Sequence, residues 1–451
     1  MAQDHAPQVT RSMDLKRSHI FAASIGNALA FYDFLTYALF AIQIGHAFFP
    51  SDSAYGSLML SLATFGAGFV TRPIGAVVLG QYADRVGRRP AMMLCFLMLG
   101  GAITLLAIIP SYRTIGMAAP VLAVLARMTQ GFALGGEIGA NTAFLAEGAH
   151  ARRRGYVVSW QGASQFIALL AGSLVGVVLT TLLTPESLDA YGWRIAFLLG
   201  AATVPFGYWM RRRLPETLKA PHAAVARGAR SALPQPLGLL RRHARVMILG
   251  LVVLAASTIG TYIITYTVTY AQTTLQLPAR AGFMAELVSY LVTIPAVLYG
   301  GYLSDRYGRW PVNILSNLAF LLAIYPVFAW VVARPSAFTL VLGMALLGAL
   351  GNLCYGSFSA GLAEALPERI RSSGFAIVYS IAIAAFGGTT QLVITWLLHV
   401  TGSALAPAWY LVGATAVGQV ALLLFPETAP VRRGADPSAA APADIRPEAA
   451  L

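Results

Sequence analysis

Charge is what this sequence has least of. Only 11% of its 451 residues are Asp, Glu, Lys or Arg, under half the usual share for a soluble domain. So little charge cannot cover a water-exposed surface, which argues against a soluble enzyme. Cysteine is nearly absent: Cys95 and Cys354 lie in separate apolar runs without a vicinal partner or metal-like spacing, so neither a disulfide framework nor a cysteine metal centre is expected. No nucleophile with an adjacent base, phosphate loop or metal cluster can be read in the chain, so no catalytic and no metal-ligating residues are expected. A sensor would need a sizeable soluble output domain. The longest polar interior stretch is the basic segment 211–244.

What the chain has in quantity is apolar sequence, with 57% hydrophobic residues and a mean hydropathy of +0.67. Apolar segments of spanning length run at 18–49, 55–82, 90–110, 115–148, 156–184, 193–210, 245–275, 279–303, 311–334, 336–366, 372–400 and 405–426. Each is long enough to cross a hydrocarbon core of about 30 Å as a helix. The expected fold is therefore an all-α integral membrane protein of twelve transmembrane helices. Of the 31 lysines and arginines, Arg72 and Arg127 fall inside spans, and Arg113, Arg194, Arg280 and Arg334 fall on one side. All the others fall on the opposite side, which the positive-inside rule makes cytoplasmic, with both termini. The net charge of +13 is then a topology signal and an attraction to the lipid bilayer, with no call for nucleic acid as a partner. The polar leader runs straight into the first span without a clear cleavage site, so that helix is expected to stay.

The chain also repeats itself. GQYADRVGRR at 80–89 returns as GYLSDRYGRW at 301–310, so Gly80, Asp84, Arg85, Gly87 and Arg88 recur as Gly301, Asp305, Arg306, Gly308 and Arg309. Leu145-Ala146-Glu147 is echoed by Leu362-Ala363-Glu364, and Pro215-Glu216-Thr217 by Pro426-Glu427-Thr428, at nearly the same spacing. The organisation that follows is a cytoplasmic tail 1–17, a six-helix half 18–210, a cytoplasmic linker 211–244, a second six-helix half 245–428, and a disordered cytoplasmic tail 429–451.

The doubled signature and the Pro-Glu-Thr ends resemble the major facilitator superfamily. Within it, Gly26-Asn27 with Phe31-Tyr32-Asp33-Phe34, Arg72-Pro73-Ile74-Gly75, Arg127 with Gln130-Gly131, and Gly136-Glu137 resemble the metabolite:proton symporter family. The run FGAGFVTRPIGAVVLGQYADRVGRRP and the segment SWQGASQ at 159–165 are similar to the citrate and tricarballylate symporters. The resemblance implies a transporter of the inner membrane, a small organic anion as partner, protons as coupling ion with no other cofactor, and a monomer. Other substrates of the family stay open: a zwitterionic osmolyte, an aromatic acid or a dicarboxylate.

The charged knot is expected to be a latch. Glycines at 80 and 87 permit a tight turn, and Asp84 can face the positive N-terminal end of a neighbouring helix. The resemblance implies that Asp84 caps helix 11 of the other half and that Arg85 or Arg88 meets Glu147. In the second copy, with Gly301, Asp305, Arg306, Gly308, Arg309 and Glu364, Trp310 replaces the last basic residue, and a looser latch is expected. The alternative is a solvated topogenic loop.

Ionisable groups at bilayer depth need partners. Asp33 and Arg127 agree in depth near the midplane, and Arg72 and Glu137 form a second candidate pair one layer lower. Asp33, Arg127 and Glu137 are the candidates for proton coupling, Arg72 and Arg127 for an anionic substrate; static buried pairs are the alternative. Ala30 stands where the family commonly has an acid. Glu286 in helix 8 could compensate, or lie solvated near the interface; His399 reads as interfacial. Gln161 and Gln165 are four apart on helix 5, and Tyr262 and Tyr266 four apart on helix 7, so each pair should share a face. With Asn352, Tyr355 and Gln391 they complete the candidate cavity. Packing is the competing role for each.

Overall fold

The computed structural model describes residues 24–25, 27–29, 31–32, 36–86, 88–135, 145, 149–212 and 242–433. Twelve helical spans follow one another, close to the segments read from hydropathy. The described part of α1 ends in Ala41–Phe48. α2 comprises Ala54–Val70 and Arg72–Val86, α3 is Arg88–Ile108, α4 Ala118–Gly135, α5 Arg154–Leu182 and α6 Trp193–Arg212. The second half has α7 (Ala244–Thr265 and Thr267–Thr273), α8 (Ala279–Tyr307), α9 (Arg309–Ala333) and α10 (Ala337–Asn352 and Tyr355–Ala365). α11 (Glu368–Ala382, a π turn at Ile383–Gly387, then Thr390–Thr401) and α12 (Ala406–Leu424) complete it. Among the described residues nine helices are long and apolar enough to cross a membrane.

The interruptions matter more than the lengths, because irregular backbone inside a membrane survives only where it is buried in protein or lines a cavity. α2 breaks at Thr71, since Pro73 has no N–H for the carbonyl of Phe69. The Thr71 hydroxyl donates instead to the Met128 carbonyl of α4 at 2.7 Å. α7 breaks at Tyr266, whose N–H is shared between the carbonyls of Tyr262 and Ile263. The π turn of α11 precedes Gly388, against which Gly66 of α2 packs so closely that a Cβ on Gly66 would lie 2.8 Å from the Gly388 carbonyl oxygen.

The halves meet where α5 packs against α8 and α10, and where α2 packs against α11. α5 and α8 run antiparallel: Gly155 faces Gly301 at one end, and Gly176 faces Phe283 at the other. Gly301, the counterpart of Gly80, is thus not a turn residue. It sits within α8, where a Cβ would lie 2.7 Å from the Gly155 carbonyl oxygen, and it lets the halves touch. The turn belongs to Gly308, at φ +107° between α8 and α9.

Candidate functional site: a sealed arginine pair and a capping latch

Two arginines are buried midway along the first half. Arg72 begins the second segment of α2 and is 2% exposed; Arg127 of α4 is 0% exposed. Their guanidinium carbons lie over the rings of Phe69 (4.7 Å) and Phe65 (5.0 Å), and these rings meet edge to face at 5.1 Å. One pair of contacting rings therefore carries a cation on each member. Arg127 also lies 4.7 Å over Tyr37 and donates to Gln130 Oε1 at 2.7 Å. Arg72 is 6.0 Å from Phe31. From the second half Tyr262 closes the group, edge to face with Phe69 at 5.6 Å and Phe65 at 6.0 Å.

A belt of amide and phenol groups seals the seam beside it. The Tyr355 hydroxyl donates to Gln161 Oε1 at 3.1 Å, and Gln165 Nε2 donates to the Tyr379 hydroxyl at 3.1 Å. Both bonds join α5 to the second half. Asn27, one of the marks of resemblance, ties α1 to α5 through Ser164 Oγ at 2.7 Å. Gln391 of α11 is 1% exposed, and neither end of its amide makes a hydrogen bond within the described residues.

The structure brings Arg72, Arg127, Gln161, Gln165, Tyr262 and Tyr355 together in one group, joined by Tyr379, Phe65 and Phe69, which the sequence did not single out. Two of the expected cavity residues are engaged elsewhere. Tyr266 lies one helical turn beyond Tyr262, whose carbonyl accepts its N–H at 3.0 Å, and its hydroxyl accepts from Thr395 of α11 at 2.8 Å, inside the second half. Asn352 lines a small cavity among α7, α9, α10 and α12, with Ser257, Asn317 and Thr415, and donates to the Gly348 carbonyl at 3.0 Å. It belongs to the interior of the second half. Asp33 and Glu137 lie outside the described residues, as do Gly87 and Glu147. The side chains of Asp84, Arg85 and Arg88 also lie outside them, whereas Gly80 and Asp84 fall within the helical backbone of Arg72–Val86.

The second signature forms a full latch, contrary to the expected looseness. Asp305, in the last turn of α8, accepts the backbone N–H groups of Gly155 and Tyr156 at 2.9 Å each. It caps α5 of the other half where unpaired N–H groups and the helix dipole favour an anion. Arg309 is 2% exposed and binds Asp305 at 2.7 Å, Ser304 at 2.6 Å and Glu364 through Nε (3.3 Å) and Nη2 (3.1 Å). Arg154 of α5 adds a contact to Glu364 at 3.7 Å. Glu427 accepts the N–H groups of Arg309 (3.0 Å) and Trp310 (2.9 Å) and so caps α9. Position 310 contributes its backbone N–H, which does not require a basic side chain there. Arg306 is not drawn in: it is exposed, 5.5 Å from the Tyr307 ring.

The opposite end is closed as well. There Tyr55 of α2 stacks on His399 of α11 with ring centroids 4.0 Å apart, and Phe283 of α8 meets Phe40 of α1 at 5.2 Å. With Asp305 holding α5 at one end and Tyr55 against His399 at the other, the arginine pair is enclosed between two closed ends.

Comparison with known proteins gives this arrangement a lineage. Residues 19–219 match the family of sugar (and other) transporters, and residues 284–451 match the major facilitator superfamily. The chain is 36% identical over 425 residues to the citrate-proton symporter of Salmonella typhi, covering 93% of this chain and 96% of that one. It is 29% identical to the glycine betaine/proline/ectoine/pipecolic acid transporter of Dickeya dadantii, over 94% of this chain and 86% of that one. Its fold superposes on a D-xylose-proton symporter with a TM-score of 0.73 at 17% identity, over 91% of this chain and 98% of that one. The chain belongs to the major facilitator superfamily, within the metabolite:proton symporter family that includes the citrate-proton symporters.

Proposed function

We propose that the protein imports citrate, tricarballylate or a related carboxylate together with protons, by alternating access across the inner membrane, as a monomer with both termini cytoplasmic. The observation that carries this reading is the enclosed pair Arg72 and Arg127, each over a member of one ring pair and covered by Tyr262. Two buried guanidiniums on one pair of contacting rings suit a ligand with more than one carboxylate, because each can grip a carboxylate through two parallel N–H groups. The similarity to citrate-proton symporters points the same way.

In this reading the substrate carboxylates take the guanidinium N–H groups, while Gln161, Gln165, Tyr355, Tyr379 and Gln391 supply hydrogen bonds to the remainder. A buried amide with both ends unsatisfied, as at Gln391, is ready for a polar ligand. The Asp305 end is cytoplasmic and opens when the carboxylate releases α5; the Tyr55–His399 end opens toward the outside. Both openings part the seam that Gln161–Tyr355 and Gln165–Tyr379 hold. The coupling proton is assigned to Asp33, with Arg127 as partner and Glu137 as a second carboxylate.

A zwitterionic osmolyte is the second reading, supported by the similarity to a betaine and proline transporter. A quaternary ammonium seeks open aromatic faces, and here Phe65, Phe69 and Tyr37 face guanidiniums. The deciding experiment is uptake into proteoliposomes of labelled citrate, tricarballylate, succinate, betaine and proline, with pH and sodium gradients imposed separately. Accumulation of a tricarboxylate under a pH gradient alone is expected. Accumulation of betaine or proline without any carboxylate would reject the reading.

A further inference from the structure

The α5–α8 seam encloses a carboxyl group that the substrate site does not use. Glu286 lies two turns into α8 and is 0% exposed. Its Oε2 accepts the hydroxyl of Ser173, from α5 of the other half, at 3.2 Å. Its Oε1 makes no well-formed hydrogen bond within the described residues, and the backbone of Val268, where α7 resumes after its break, is the other polar group facing the carboxyl. The sequence allowed a solvated place at the interface; α5 covers it instead.

Among the described residues no Lys, Arg or His pairs with this acid; the acids in ion pairs there include Asp189, Asp305 and Glu364. The elements packed around Glu286 are apolar or neutral there. α5 presents Ser173 and Gly176, which packs on Phe283; α1 presents Phe40; and α10 receives the neighbouring Ser289 hydroxyl at the Met344 carbonyl. Tyr290 and Tyr270 are the buried tyrosines of α8 and the resumed α7. Tyr290 is one turn along α8, fully buried, with its hydroxyl 3.0 Å from Thr265 Oγ1 and its ring stacked on Phe166 of α5 at 6.1 Å. Tyr270, on the resumed α7, donates to the Ala404 carbonyl. Asp33, also on α1, lies outside the described residues.

We infer that Glu286 is a protonation site that licenses closure of the seam between the halves, separate from the proton that moves with the substrate. An ionised carboxylate held by the Ser173 hydroxyl and the Val268 backbone, with no cation paired to it among the described residues, is strongly disfavoured in an apolar interior, whereas the neutral acid is tolerated. Once α5 and α8 part, Ser173 leaves and water reaches the carboxyl, which releases its proton to that water. Reclosing would then bury an unpaired charge, so the carrier waits until a proton returns. The constraint acts in either direction and with or without substrate, because Glu286 touches the seam and not the arginine pair. It therefore shapes exchange as well as net transport, which the Asp33 proton does not.

The transport test rests on the carboxylate reading and uses labelled citrate counterflow in proteoliposomes at equal internal and external pH, repeated over a pH series. Wild-type exchange should fall by about tenfold for each pH unit above the titration of the opened site. Glu286→Gln and Glu286→Met, both neutral and the second apolar, should exchange citrate with no such falling limb. Either variant keeping the wild-type limb overturns the inference. A second measurement needs no substrate: the infrared carbonyl band of a protonated carboxyl, present in the wild type at neutral pH, should lose intensity in Glu286→Gln. An unchanged band also overturns it. If the wild type carries no citrate while that band behaves as expected, the carboxylate reading fails and the protonation site stands.

Discussion

Replacing Asp305 by Asn tests whether the second signature is a latch. Asp305 accepts three hydrogen bonds, from Gly155 N, Tyr156 N and Arg309 Nη1, at 2.9, 2.9 and 2.7 Å. Asn keeps one acceptor oxygen and sets an NH₂ group where the other stood, so at least one donor loses its acceptor and Arg309 loses a counter-charge. A hydrogen bond to a charged group contributes about 1.5–3 kcal/mol. At tenfold per 1.4 kcal/mol, the closed end should lose roughly 10- to 100-fold in population against the open one. Ser159 reports on this, since it is fully buried on α5 against Gly301 and Gly356 across the seam. In a Cys95→Ala, Cys354→Ala background, Ser159→Cys should be alkylated slowly by a small water-soluble maleimide. Adding Asp305→Asn should raise the rate at least tenfold. Equal rates with and without Asp305→Asn would refute the reasoning.

Arg127→Lys should nearly abolish citrate uptake with normal membrane insertion, because a point cation cannot reproduce a planar fork lying over Tyr37 and Phe65; uptake at the parental rate would remove Arg127 from the site. Gly308→Ala should lower thermal stability by about 1–3 kcal/mol, from backbone strain at φ +107° and a Cβ placed 2.9 Å from Glu427 Oε2. An unchanged unfolding midpoint in detergent would contradict it. Tyr379→Phe removes the hydroxyl that receives Gln165 and should raise the KM for citrate several-fold with insertion unaffected; an unaltered KM would place Tyr379 outside the site. Asp33→Asn should end accumulation driven by a pH gradient while counterflow partly persists, and concentrative uptake by this variant would move the coupling proton elsewhere.

The spans were legible because twenty apolar residues in a row have few other uses, and the second signature because it repeats the first. What escaped notice depends on neighbours distant in sequence. Tyr379 is one aromatic residue on an apolar helix, and only the folded chain brings it to Gln165 of the opposite half. Tyr262 and Tyr266 look equivalent by spacing, yet Tyr262 meets Phe65 and Phe69 of the other half while the Tyr266 hydroxyl meets Thr395 of its own. Glu286 looked interfacial by its distance along α8, a measure that takes no account of α5 lying across it. Gly80 looked like a turn former, yet its counterpart Gly301 packs against another helix, and sequence cannot distinguish a glycine needed for its own backbone from one needed by another helix.

Both acids at the basic end, Asp305 and Glu427, grip main-chain amides. What they hold is therefore main chain, which at Trp310 is present whatever side chain is attached. The lock and its keyholes are thus unequal under mutation: each carboxylate is a single point of failure, and of the sites that receive them the α9 start at Trp310 tolerates change, while Gly155 does not, because a Cβ there would lie 2.8 Å from the Gly301 carbonyl oxygen. Trp310, where the first copy has a basic residue, is one such change already made. A latch built this way can keep its strength while its rim is rewritten for other purposes, including the lipids or partners that the rim meets.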